Sequence, residues 1–290
     1  MIKHTELQHS GNVLMSPPFL AKHVNKLVVS VGLVVACLLM LIIYLWTHLK
    51  AADERMVEQQ FTLSLVNLSQ KIDARISSMK LIAKTVANDT HIHDWAESGL
   101  AVNQAPILVE KLGFLVNEYG LTSASFADKK THKYWNHEGF LRVLQPEIDT
   151  WYFAYLKSGE SDLISVYHDK NKNRVDVYVN YQQPDGDGLS GIATSFDGVL
   201  GMLKNSIFVA HGDIYLVDSL GEIQVHAQDV VAGGKSLQEL FSDEVVDNLL
   251  QPNSTTLIKT HQLEGSWLGA SHIPNMNWYV VVNVAKNLKR

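Results

Sequence analysis

Aromatic rings and carboxylates occur together at two places in the chain, and this combination suits the binding of positive charge. The set, in chain order, is Asp149, Trp151, Tyr152, Tyr167, Asp169 and Tyr178. Aromatic faces and carboxylates both attract cations, so these side chains would favour a cationic group if they line one pocket. The alternative is that Trp151 and Tyr152 are core residues, because aromatic side chains dominate protein interiors.

Other candidate chemistry in the sequence is sparse. The metalloprotease motif H-E-x-x-H, the esterase motif G-x-S-x-G and the phosphate-binding loop do not occur in the sequence. His91, His93 and Asp94 are of metal-binding types, but His-x-His-Asp in a short exposed helix is more typical of a solvated surface. We therefore predict no catalytic residue, no metal site and no cofactor, and expect that the protein is not an enzyme.

The formal net charge of the chain is −6, and its Lys and Arg residues are dispersed, which argues against a nucleic-acid partner.

One uncharged apolar run, Leu27–Trp46, is long enough to cross a bilayer as a single helix. A helix of about 20 residues spans the roughly 30 Å hydrocarbon core of a membrane. The alternative is a cleaved signal peptide, but its apolar core is only about 7–15 residues long, and no small-residue cleavage site follows this run. Tyr44 and Trp46 suit the headgroup layer at the end of the span. We therefore predict a single-pass membrane protein.

The charges beside this span predict its orientation. Lysines dominate before the run, whereas basic and acidic residues are mixed after it: Lys3, Lys22 and Lys26, then Lys50, Asp53, Glu54, Arg55 and Glu58. The positive-inside rule then places the N-terminus in the cytoplasm and the bulk of the chain in the periplasm or outside the cell. The expected location is the inner (cytoplasmic) membrane. The only cysteine, Cys37, lies inside the span, so no intrachain disulfide is possible.

A second helical segment continues directly from the span. Residues 47–87 contain neither Gly nor Pro, and apolar residues recur at spacings of three and four. The resulting stripe consists of Met56, Phe61, Leu65, Leu68, Ile72, Ile76, Met79 and Ile82 or Ala83. We predict a stalk helix whose stripe packs against a globular head. The alternative is a coiled coil with a second copy of the chain, and the two can hold at different heights of the helix.

The rest of the chain is rich in predicted strands, in two successive blocks. Alternating apolar and polar residues predict strands in the first block at 122–128, 133–136, 163–169, 174–182 and 189–196, and in the second block at 213–218, 222–226, 255–263, 266–273 and 278–284. Helical patterns accompany them at 91–100, 105–119, 197–205 and 236–250. This combination predicts an α+β fold of two modules in series.

Several short motifs occur in a fixed order along the chain. They are Asp149-Thr150-Trp151-Tyr152, Tyr167-His168-Asp169, Val177-Tyr178-Val179-Asn180-Tyr181, Gly191-Ile192-Ala193, Tyr215-Leu216-Val217-Asp218 with Gly221, and Met276-Asn277-Trp278-Tyr279-Val280-Val281. Their order resembles the double Cache (dCache, PDC-like) extracellular sensor domain of bacterial chemoreceptors, histidine kinases and diguanylate cyclases. The resemblance implies two PAS-like modules after the stalk. The implied division is a cytoplasmic tail (1–26), transmembrane helix (27–46), stalk helix (47–88), membrane-distal Cache module (89–210), membrane-proximal Cache module (211–284) and C-terminal tail (285–290).

The resemblance also implies a binding site, in which the membrane-distal module holds a small ligand between a sheet face and a strand–loop–helix flap. Amino-acid-binding members carry an Arg at the position of Asp149 for the ligand carboxylate, and an Asp for the ligand ammonium where this chain has Phe196. Asp149 would repel a ligand carboxylate, so an amine or a neutral polar molecule is expected instead of an amino acid. The implied ligand-binding residues are Asp149, Trp151, Tyr152, Tyr167, Asp169 and Tyr178.

Signal output is expected to involve another protein or another part of the protein. Members of this family usually return to the membrane through a second helix and end in a cytoplasmic output domain, whereas this sequence ends about where that helix would begin. We therefore expect the signal to pass to a membrane signalling partner or to a missing output domain, and we expect a homodimer through the stalk helix. The alternative function is an envelope scaffold or interaction protein whose Cache-like head binds another protein.

Overall fold

The computed structural model describes residues 18–101, 103–169, 174–227, 235–260 and 266–285, and it leaves out the side chains of 18–28, 168–169, 174, 196 and 259–260. The predicted terminal tails lie largely outside these ranges. The chain divides into two compact units with the boundary between Glu58 and Gln59.

The first helix, α1 (Pro18–Ala87), is 70 residues long and begins in the first unit. Every side chain from Val29 to Lys50 is exposed. An 18-residue window of this helix has a mean hydropathy of 2.6, and none of it is buried. A helix in a soluble core would bury such an apolar run. By length and composition, α1 is therefore the helix among the described residues that is able to cross a membrane.

In its described residues, the second unit contains five further α-helices and two antiparallel sheets. The helices are α2 (Thr90–Glu97), α3 (Ala105–Tyr119), α4 (Thr150–Ser158), α5 (Phe196–Lys204) and α6 (Asp243–Leu249), with a short 3-10 turn at Leu237–Glu239. The strands are β1 (Ser123–Asp128), β2 (Lys133–Asn136), β3 (Gly139–Val143), β4 (Asp162–Asp169), β5 (Arg174–Gln182), β6 (Gly188–Ser195), β7 (Gly212–Val217), β8 (Ile223–His226), β9 (Thr255–Thr260), β10 (Ser266–Ile273) and β11 (Trp278–Ala285).

Local sequence signals explain where the helices of the first module start and stop. The Asp89 carboxylate accepts hydrogen bonds from the backbone N–H groups of His91 and Ile92, which starts α2. Gly120 ends α3 in the left-handed conformation with φ of 60°, and its N–H donates to the carbonyl of Val116. These caps fix the two short helices between the stalk and the first strand.

The two sheets share an antiparallel design but differ in strand order. The first runs β3-β2-β1-β6-β5-β4, and the second runs β8-β7-β11-β10-β9. Each is a separate module, built from residues 123–195 and 212–285 respectively. The α+β class with a long helix and two PAS-like modules in tandem is confirmed.

The stalk stripe is buried in the core of the second unit. The side chains of Phe61, Leu65, Leu68, Ile72, Ile76, Met79 and Ala83 are between 0 and 5% exposed. They belong to one continuous apolar cluster with residues of both sheets, such as Val177 of β5 and Val282 of β11. Core packing is therefore confirmed for the stripe from Phe61 onward, while Met56 is 53% exposed. A coiled coil through this part of the stripe would compete with the head for the same surface.

Candidate ligand-binding site

The site is built on one face of the first sheet, which we call the α4 face. Directly paired residues of antiparallel strands point to the same side of a sheet. The register pairs Ser125 with Gly191 and Gly191 with Asn180, so these three residues share one side. Their neighbours in sequence, such as Val179, lie on the opposite side within the cluster that includes the stalk. The α4 face is therefore the side turned away from α1.

Helix α4 closes over this face through two tyrosines. Tyr152 is completely buried and Tyr155 is 3% exposed, in a cluster with Ala127, Leu144 and Leu189. The Tyr155 hydroxyl donates to the carbonyl of Ser161 at 2.8 Å, and Gln182 Nε2 donates to the Tyr155 carbonyl at 3.0 Å. Burial raises the pKa of both phenols, so both stay protonated at neutral pH. These bonds fix α4 against β5.

Asp149 stands at the N-cap position of α4, and its carboxylate is fully engaged. Arg142 Nη2 donates to Oδ1 at 2.5 Å, and the Gln145 N–H donates to Oδ2 at 2.9 Å. The hydrogen bond from Arg142 holds the pKa of Asp149 below its usual range, and only 2% of the residue is exposed. The predicted repulsion between Asp149 and a ligand carboxylate is therefore wrong, because Arg142 neutralises the charge of Asp149.

Trp151 and Tyr152 have opposite environments. The Trp151 side chain is 42% exposed, while the Tyr152 ring is buried, 5.9 Å from the indole. The Tyr152 hydroxyl lies 3.3 Å from His132 Nδ1. The question of core or pocket therefore has a separate answer for each residue: Tyr152 is a core residue, and Trp151 presents its ring at the surface beside Asp149.

A second aromatic pair lies on the neighbouring strands. Tyr167 of β4 is 58% exposed, and its ring centroid is 6.4 Å from that of the half-buried Tyr178 of β5 in an edge-to-face arrangement. Asp169 ends β4, but its side chain lies outside the described residues. The structure thus places the predicted residues in two groups, one at the start of α4 and one on β4 and β5.

Buried polar groups form the centre of the α4 face. Asn180 and Ser125 are 3 and 4% exposed, and the Ser125 hydroxyl donates to the Gly191 carbonyl at 2.9 Å. A Cβ atom on Gly191 would lie 2.7 Å from Asn180 Oδ1 and 2.8 Å from Ser125 Oγ, so only glycine allows this close approach. Tyr134 bonds to Ser125, and burial raises the pKa of its phenol. The centre is a compact set of neutral hydrogen-bonding groups.

Sequence reasoning missed Arg142, Tyr134 and the roles of Ser125 and Asn180. Arg142 lies on β3, a strand that no alternation of apolar residues indicated, because four of its five residues are exposed. Asn180 and Gly191 belong to motifs that carry the resemblance, but these motifs by themselves assign no role to either residue. Cross-strand pairing joins them, and a single sequence does not reveal pairing. Phe196 begins α5 instead of lying on a strand, and its side chain lies outside the described residues.

Comparison with known proteins identifies the architecture. No protein-family model matches the sequence. The extracellular domain of the histidine kinase mmHK1S-Z2 matches with a TM-score of 0.59 and 14% identity, over 80% of this chain and 98% of that domain. A sensory box/GGDEF family protein from Vibrio parahaemolyticus matches with a TM-score of 0.59 and 11% identity, over 81% and 98%.

A third match is to a chemoreceptor with a bound ligand. The ligand-binding domain of the Pseudomonas aeruginosa amino acid chemoreceptor PctB, in complex with L-Gln, has a TM-score of 0.55 and 16% identity, over 78% of this chain and 89% of that domain. At these identities the likeness concerns the fold. The chain therefore has the tandem-module fold of the extracellular Cache-type sensory domains of bacterial histidine kinases, chemoreceptors and GGDEF proteins.

Proposed function

We propose that this protein is a membrane-anchored sensor that binds a small molecule at the α4 face and passes the signal to a partner or to an output domain. The observation that carries the proposal is the exposed indole of Trp151 at the start of α4, a helix that Tyr152 and Tyr155 anchor to the sheet, beside the Arg142–Asp149 pair. Exposed large aromatic rings on a rigid element are typical of binding surfaces. Binding, not catalysis, is the proposed role.

The proposed ligand is a small amine or a neutral polar molecule. The rings of Trp151 and Tyr167 are both exposed, and aromatic faces attract ammonium groups. Ser125 and Asn180 add neutral hydrogen-bonding groups. PctB binds L-Gln, but a free amino acid suits this chain less well, because the guanidinium of Arg142 already pairs with Asp149 instead of a ligand carboxylate. The argument against an amino-acid ligand thus rests on the pairing of Arg142 with Asp149, and no longer on repulsion of the ligand carboxylate by Asp149.

The stalk is the proposed route of the signal, because it bonds to both modules. Arg75 Nη2 donates to Thr194 Oγ1 at 3.2 Å, which ties the stalk to the end of β6. Asp73 accepts hydrogen bonds from both the N–H and the side-chain amide of Asn275, in the loop between β10 and β11. Asp73 and Arg75 are about half a helical turn apart on α1. A shift of one module against the other therefore has to move the helix or break one of these hydrogen bonds.

A thermal-shift screen tests the binding proposal. Full-length protein in lipid nanodiscs would be heated with putrescine, choline, succinate, adenine or L-glutamine. An amine at 100 times its dissociation constant adds about 2.7 kcal/mol to the free energy of unfolding. We expect an increase of about 5–10 °C in the melting temperature with an amine. A shift with L-glutamine alone would contradict the proposed ligand class.

The proposed topology places the second unit outside the cytoplasm, at the inner membrane. The basis is the exposed apolar part of α1 and the lysines that precede it. Protease added to spheroplasts should degrade the chain beyond Lys50. Full protection in intact spheroplasts, with digestion only after lysis, would overturn this topology.

An edge strand gives some support to the second candidate function, a protein-binding role in the envelope. Phe140, Leu141 and Val143 of β3 are 53, 43 and 45% exposed, and β3 is the outer strand of its sheet. Exposed apolar edge strands are ready surfaces for pairing with another chain. Binding of a protein partner that Phe140→Lys abolishes, without any thermal shift from small molecules, would favour this function over sensing.

A further inference from the structure

A groove separate from the α4 face lies between the stalk and α5. It has a volume of about 520 Å³, within the range of small-molecule sites. At one end of the groove, Arg75 donates a hydrogen bond to Thr194, just before α5 begins. At the other end, the ring centroids of Phe61 and Phe208 lie 4.9 Å apart, just after α5 ends. Helix α5 therefore runs antiparallel to the stalk, and the groove follows the line between them.

Two glycines of α5 line this groove, although no neighbouring atom prevents a larger side chain at either position. Gly198 and Gly201 line the groove, and a Cβ atom at either position would meet nothing within 4 Å. Glycine is the least favourable helix residue after proline, so two in a nine-residue helix weaken it. Nothing in the described core requires them. Their effect is to widen the groove by the volume of two side chains.

An unsatisfied polar atom lies in the same place. The Ser206 hydroxyl is buried, lines the groove, and has no hydrogen-bond partner among the described residues. A buried polar group without a partner is costly, and native proteins keep few of them. Rotation of the Ser206 side chain about χ1 toward the groove would let a ligand hydroxyl or amide satisfy this oxygen. Its position is an observation independent of the glycines.

The lining selects the chemical class of the ligand. Ser64, Asn67 and Asn205 join Ser206 as groups that both donate and accept hydrogen bonds. Lys71 and Asp197 add one charge of each sign, so the groove offers no net charge to an ion. We propose that the groove binds a neutral, hydroxyl-rich molecule of monosaccharide size, bridging the stalk and α5. This site is distinct from the α4 face and does not depend on the function proposed for it.

Calorimetry on the full-length protein tests this site. The protein would be held in lipid nanodiscs, because maltoside detergents carry sugar headgroups, and titrated with D-glucose, D-galactose and myo-inositol. We expect at least one of the three to bind the wild-type protein. Ser206→Ala should weaken that binding about 10-fold, the equivalent of one hydrogen bond. Gly201→Leu should fill the groove and abolish binding.

Two controls make the outcome decisive. Without ligand, Gly201→Leu should keep or raise the melting temperature, since leucine favours helices and its Cβ meets nothing. Tyr167→Ala, on the α4 face, should leave the dissociation constant for the sugar within about 2-fold. Loss of binding in Tyr167→Ala but not in Gly201→Leu would overturn the groove site and support the α4 face. No binding of any of the three probes would overturn the proposal as well.

Discussion

At the scale of single residues, adjacent side chains on α4 carry different tasks. Tyr152 fills the space between the helix and the sheet, while Trp151 points its ring outward. Their positions on the helix explain the difference. Tyr152, Tyr155 and Leu156 are spaced by three and four residues and share the helix face toward the sheet, whereas Trp151 lies outside that face. The stability of α4 and the ligand binding proposed for its surface therefore depend on different residues and can be separated by mutation.

Tyr152→Ala should cost about 3–5 kcal/mol of unfolding free energy, because it removes a completely buried aromatic ring. Trp151→Ala should cost less than about 1 kcal/mol, because the indole is 42% exposed. Urea denaturation followed by circular dichroism measures both values. Equal losses would show that Trp151 packs as a core residue.

Asp149 predicts a pH dependence of stability. Its pKa is lowered in the folded protein, so it binds protons more weakly there than in the unfolded chain. Its contribution is present above the ordinary carboxyl pKa near 4 and is lost as the pH falls through the folded pKa. Asp149→Asn should cost about 1–3 kcal/mol at pH 7, and this difference should shrink as the pH falls from 5 to 3. A difference that stays constant over this range would rule out the ion pair with Arg142.

At the scale of elements, the stalk provides a matched pair of leucines. Leu65 is completely buried, and Leu63 is 69% exposed on the same helix. Leu65→Ala should cost about 2–5 kcal/mol, whereas Leu63→Ala should change stability by less than about 0.5 kcal/mol. Chemical denaturation of both variants gives the comparison. A concentration-dependent loss in Leu63→Ala would indicate that the exposed side of the stalk forms the predicted homodimer.

Elements with strong periodicity could be predicted from the sequence, and those that depend on tertiary contacts could not. The apolar spacing of the stalk correctly predicted a long helix, and the alternation at Arg174–Gln182 correctly predicted strand β5. β3 was missed because it is short, mostly exposed and irregularly paired, with a bulge opposite Tyr134 and Trp135. The Arg142–Asp149 pair depends on that strand, so the motifs predicted Asp149 as a site residue but could not reveal the ion pair that neutralises it.

At the scale of the whole molecule, one apolar cluster runs through the second unit. It contains stalk residues together with Val179 of the first sheet and Val280 of the second. Modules that share a core lose it together, so the two modules should unfold as one cooperative unit. Urea transitions followed by circular dichroism and by tryptophan fluorescence should coincide. Two separate transitions would show that the modules are independent, and a signal route through the shared stalk would then lose its physical basis.

The most direct test of the account is the affinity of an amine for the α4 face. Calorimetric titration of putrescine and choline into the full-length protein in nanodiscs would compare the wild type with Trp151→Ala and Tyr167→Ala. Leu220→Ala serves as the control, because this residue is 76% exposed in the turn between β7 and β8, outside the first sheet. We predict binding of at least one amine, weakened about 10-fold by either aromatic substitution and within about 2-fold of wild type in the control. Absence of binding by both amines would contradict an amine as the ligand, and equal affinity in all four proteins would contradict a binding site on this face.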